Sequence, residues 1–159
     1  MTVFYYLVAI VLANLSVAYF GVGSVYINAF LFIGLDLTAR DKLHDQWSGK
    51  SLWLKMLVLI LAGGTLSYLM NRDALQIALA STAAFIGAGL SDAILYHLLR
   101  NKKRMVKING SNALAALVDS VIFPTIAFGG FMPLVVIGQY AAKVLGGFVW
   151  SKIIYARDN

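Results

Sequence analysis

The residues that could do chemistry in this chain stand where an apolar sequence has least room for them. The stretch from Asn109 to Gly130, NGSNALAALVDSVIFPTIAFGG, is apolar enough to cross a bilayer, yet it carries Asp119 and, five residues on, the helix breaker Pro124. An ionised side chain at the centre of a membrane helix costs roughly 2.5–3.5 kcal/mol even on the lenient insertion scale, so it sits there with a partner or a task. Other apolar stretches bring Asn14, Asp92, Gln139 and Lys143. Carboxylates accept hydrogen bonds, an ammonium donates them and amides do both, so together these groups suit the holding of a polar ligand. Nothing in them spells a reaction. No HExxH, GxSxG or glycine-rich phosphate loop occurs, and no enzyme activity, catalytic residue or cofactor is expected.

Depth decides which of these groups can meet. Asp119 lies about eight residues from the start of its helix, roughly 12 Å at the α-helical rise, and Lys143 about nine residues from the start of the next, roughly 14 Å. Both therefore fall near mid-membrane on consecutive antiparallel helices. Gln139, Lys143, Gly147 and Trp150 recur at helical spacing and share a face, as do Phe85, Ala88, Asp92 and Tyr96. Pro124 lacks an N–H and crowds the carbonyl four residues back, which predicts a free Ser120 carbonyl beside Asp119 and an interrupted helix.

The elements that must position these groups follow from composition. Of the 159 residues, 60% are hydrophobic and 13% charged, and the mean hydropathy is +0.79. Soluble domains carry about 25% charged residues. The chain is predicted to be an all-α integral membrane protein of one domain, residues 1–159, with six spans at about 3–20, 22–39, 52–70, 74–99, 110–130 and 134–155. The first span has no preceding Lys or Arg and reads as a retained helix. The segment from Arg40 to Ser51 reads as an interfacial loop or short surface helix, with Trp47 and Trp53 at headgroup level and Lys55 close enough to snorkel. The Gly63–Gly64 and Gly146–Gly147 pairs suit close helix contact.

Loop charge sets orientation. Arg40, Lys42 and Lys50, then Arg100, Lys102, Lys103, Arg104 and Lys107, then Lys152 and Arg157 all fall on one side of a six-span protein, against Arg72 on the other. The positive-inside rule then places both termini in the cytoplasm of a multi-pass inner-membrane protein. The formal charge of +6 is accounted for in this way. No nucleic-acid partner is expected, and the basic cluster suits anionic lipid headgroups. With no cysteine there is no disulfide and no thiolate metal site, and no metal site is expected.

Plainer readings stand beside these. Asp119 and Lys143 suit a structural ion pair as well as a ligand site, Asn14 suits a bond across helices, His97 an interfacial position, Asp36 a place beside Arg40 and Pro124 a simple kink. Three carboxylates and an amine on four helices of so small a bundle still favour a polar cavity.

The segment NGSNALAALVDSVIFPTIAFGG also resembles the late signature of the queuosine precursor transporter family, known too as the VUT family. The likeness extends to Ala13–Asn14 with Phe20–Gly21, to FIGLDLTARD around Asp36, to Ala80–Ser81 with Ser91–Asp92, and to Lys143 ahead of Tyr155. It covers nearly the whole chain. The resemblance implies a six-helix transporter that takes up a 7-deazaguanine base such as preQ0 or preQ1. Asp119 and Asp92 would bind the base's N–H edge, Asn14, Gln139 and Lys143 would complete the polar shell, and Phe123, Phe128, Tyr96 and Tyr140 could stack on the ring. The sequence leaves open a homo-oligomer, a separate energising partner, a substrate-binding subunit of a vitamin-type uptake complex, or a small structural or pore-forming membrane protein.

Overall fold

A computed structural model describes residues 2–47, 51–99, 101–102 and 104–155. The first helix, α1 (Thr2–Phe20), ends where Gly21 takes a positive φ of 61°, a conformation that costs glycine nothing. A 3-10 turn, Gly21–Ser24, follows, and the Ser24 hydroxyl donates to the Gly21 carbonyl at 2.9 Å. The chain returns through α2 (Val25–Asn28), a π turn (Ala29–Ile33) and α3 (Gly34–Gln46), which packs against α1. Next come α4 (Leu52–Met70) and a 3-10 turn (Arg72–Ala74), which Asn71 caps by accepting from the Asp73 amide at 3.0 Å. Then follow α5 (Leu75–Leu98) and α6 (Arg104–Phe128). Gly129, with φ 74°, turns the chain into α7 (Pro133–Tyr155), whose leading proline has no amide to waste in the first turn.

The packing is inverted relative to a water-soluble protein. Alanine dominates the buried apolar set, with Ala9, Ala13, Ala80, Ala84 and Ala88 among the most enclosed, whereas large apolar side chains such as Phe20, Leu69, Leu98 and Leu134 point outward. Small residues let helices approach closely where apolar surroundings supply no hydrophobic drive between them. The closest approach lies between α3 and α7. A Cβ on Gly34 would stand 2.6 Å from the Gly146 backbone, and one on Gly146 would run into the Phe30 carbonyl of the π turn. Among the described residues four stretches are long and apolar enough to cross a membrane: Thr2–Asp36, Trp53–Met70, Arg72–Asp92 and Pro133–Trp150, with Asn112–Phe128 a shorter apolar helix. The first of them doubles back at Gly21–Ser24, so its two arms lie side by side. The molecule is an all-helical, multi-pass membrane protein.

Two sequence expectations change and one is narrowed. Of the segment expected as an interfacial loop or short surface helix, residues 40–46 are helical and continue α3, because Ala39 and Leu43 are buried in a cluster with Tyr6, Met56 and Ile60, while residues 48–50 lie outside the described residues. Helix α6 begins at Arg104, within the basic cluster, and it runs unbroken through Pro124 to Phe128. The Ser120 hydroxyl donates to the Ala116 carbonyl at 2.7 Å and the Thr125 hydroxyl to the Val121 carbonyl at 2.6 Å, so hydroxyls bind the backbone on both sides of the proline. The irregular backbone is the π turn instead. Lys55 behaves as expected of a residue near a helix start, exposed and with its ammonium 5.4 Å from the centre of the Trp47 ring.

Candidate functional site

Lys143, on α7 and 3% exposed, is the centre of a buried polar cluster. One turn earlier on the same face, Gln139 offers its side-chain oxygen to the ammonium at 3.3 Å. From α6, Asp119 accepts through Oδ2 in a direct ion pair, and Ser120 accepts through Oγ at 3.2 Å. The Ser120 hydrogen is committed to the Ala116 carbonyl, so toward Lys143 its oxygen acts as acceptor. Helices α6 and α7 are thus joined by one ammonium and two oxygens of α6, with Gln139 of its own helix supplying the third. Asp119 is 24% exposed and opens onto an internal cavity.

That cavity has a volume of about 90 Å³. One water needs only about 10–15 Å³ by the same kind of measure, so there is room for a compact ring. Its polar lining is Asn14, Asn28, Asp36, Ser81, Asp119, Gln139 and Lys143, and its aromatic lining is Tyr6, Phe85 and Phe123. Asn14, 2% exposed, is held from two sides: its oxygen accepts from the Ser81 hydroxyl at 2.6 Å and its amide nitrogen donates to Ser67 Oγ at 3.2 Å. Ser67 in turn donates to the Gly63 carbonyl at 2.8 Å. Helices α1, α4 and α5 are pinned together by this chain. Asn28 is held likewise, accepting from the Ser16 hydroxyl at 2.7 Å and donating to Ser24 Oγ at 3.3 Å.

A protein-family model described as Putative vitamin uptake transporter matches residues 1–156. The chain belongs to this family. No curated protein and no solved structure matches it. Membership makes the molecule a membrane transporter whose substrate is a small molecule, in keeping with the multi-pass helices and the internal cavity.

Within this family member, the sequence-based candidates divide. Asn14, Asp119, Phe123, Gln139 and Lys143 line one cavity. Asp92 does not: the wall of α5 is formed by Ser81, Phe85 and Ala88, and Asp92 lies one turn beyond. Phe128 packs in the cluster around Val17, Ile77 and Val135, edge-on to Phe123 at 6.4 Å between centroids, and Tyr140 does not reach the cavity. The side chain of Tyr96 lies outside the described residues. Lining groups that the sequence argument left unassigned are Tyr6, Asn28, Ser81 and Phe85, and Asp36, given there a plainer place beside Arg40, lines the cavity too. Asn28 was signalled by Ser24 four residues before it, one helical turn away and on the same face. From Asn28 and Ala29 the wall continues to Ile33 and Asp36, across a π turn that holds no Pro or Gly within it.

Proposed function

We propose that this protein imports a queuosine precursor, a 7-deazaguanine base such as preQ0 or preQ1 or a similar planar base, across the cell's inner membrane. The observation that carries the reading is a half-buried carboxylate, Asp119, opening on a cavity of about 90 Å³ that also holds amides, hydroxyls and the Phe85 and Phe123 rings. A guanine-like base has N–H groups that a carboxylate accepts, a carbonyl that an amide can meet, and a flat face for aromatic contact. The resemblance of the Asn109–Gly130 segment to the queuosine precursor transporters supports the same ligand. In this reading six spans cross the membrane and both termini lie in the cytoplasm. The concentration of Lys and Arg after the second and fourth spans, against Arg72 after the third, supports that orientation.

The test is uptake of labelled base by cells that cannot synthesise it. Cells expressing the parent protein accumulate the base and restore queuosine to tRNA. Asp119→Ala, present in the membrane at equal amount, loses at least about tenfold of the uptake, the scale of one charge-assisted hydrogen bond. Transport by Asp119→Ala equal to that of the parent would sink the assignment of the site.

A further inference from the structure

Counting donors and acceptors around the cavity separates the groups that can read a ligand from those already committed. A lysine ammonium has three N–H bonds and no acceptor. Lys143 faces three oxygens, on Asp119, Ser120 and Gln139, so its donors are all engaged. Because an ammonium can only donate, the atom of Gln139 turned toward it must be the amide oxygen, which fixes the amide's orientation and turns Nε2 away. Among the described residues nothing accepts from Gln139 Nε2 and nothing donates to Asp119 Oδ1, and both side chains line the cavity. Asn14 and Asn28 each already spend one bond at the oxygen and one at the nitrogen on neighbouring serines, which fixes their amides in place.

We infer that Asp119 Oδ1 and Gln139 Nε2 are the atoms that read the ligand's edge, and that Lys143 is a positioning residue which holds the two side by side without touching the ligand. The inference rests on the transport of a planar base proposed above and assigns that base's polar recognition. An acceptor beside a donor is met by a ligand edge that carries a donor beside an acceptor. The lactam edge of a 7-deazaguanine, ring N–H next to ring C=O, carries that complementary pair. An edge of two donors or two acceptors leaves one protein atom unmet in a buried site, which is costly.

The experiment is equilibrium binding to purified, detergent-solubilised protein of preQ1 and of its thiocarbonyl analogue, which keeps the ring N–H for Asp119 but turns a weakly accepting sulfur in place of the carbonyl oxygen toward Gln139. The parent binds preQ1 at least about tenfold more tightly than the analogue, the loss expected when a buried donor goes unsatisfied. Gln139→Glu keeps an oxygen for Lys143 but has no N–H, so the preference for the carbonyl disappears. Gln139→Met serves as a second variant lacking the donor. In Lys143→Arg, which keeps a cation for Asp119 and Gln139, the preference remains. A parent that binds both compounds equally, or a Gln139 variant that keeps the full preference, overturns the assignment and leaves base transport standing. A parent that binds neither compound overturns the transport reading and the assignment together.

Discussion

At the scale of single residues, Lys143 explains why so apolar a chain tolerates Asp119. Removing one partner of a buried ion pair leaves the other charge without compensation, at a cost of roughly 3–5 kcal/mol, whereas removing both is far milder. Lys143→Met therefore lowers the unfolding midpoint markedly, while Asp119→Asn combined with Lys143→Met recovers at least half of the loss. Thermal unfolding in detergent measures both. Much of this cluster was legible in the sequence, because helix depth alone sets Asp119 level with Lys143 and a four-residue step places Gln139 on the same face. Ser120 was read for its carbonyl, yet it is the hydroxyl that meets Lys143. Asp92 shares the face of Phe85 and Ala88 but stands a turn beyond the residues that line the cavity. Periodicity reports a direction around a helix and says nothing of how far along that helix the cavity extends.

Among the elements, the π turn Ala29–Ile33 has the widest effect. An extra residue in one turn rotates the helix that follows, and here the turn joins Asn28 to Ile33 and Asp36 along a single wall. The segment AFLFI has no feature that distinguishes it from an ordinary apolar helix, so local sequence could not reveal it. Its position is fixed from outside, where the Phe30 carbonyl lies against Gly146 of α7. Gly146→Ala pushes a methyl group into that carbonyl and destabilises the fold by about 1–3 kcal/mol, as overpacking does. Gly147→Ala, where an added Cβ meets nothing within 4 Å, leaves the unfolding midpoint nearly unchanged and is the matching control. Pro124 is the converse case. The sequence announces a break, but α6 continues through the proline to Phe128, with the Ser120 and Thr125 hydroxyls turned back onto the Ala116 and Val121 carbonyls of the same helix.

For the whole molecule, class was the most legible property, since low charge and high hydropathy leave few alternatives to a membrane protein. The inversion of packing, with alanines inside and large apolar side chains outside, is the structural form of that composition. Orientation rests on loop charge. In the proposed arrangement a fluorescent protein fused at the C-terminus folds and fluoresces in the cytoplasm, and alkaline phosphatase inserted beside Arg72 is active outside it; the reverse pattern contradicts the arrangement. Function is tested most directly with purified protein reconstituted into liposomes, measuring uptake of labelled preQ1 by the parent and by Asp119→Asn. Transport through a cavity centred on Asp119 requires saturable uptake by the parent, competed by unlabelled base and reduced at least about tenfold in the variant. Equal uptake by the two proteins, or flux through the parent that never saturates, would contradict it.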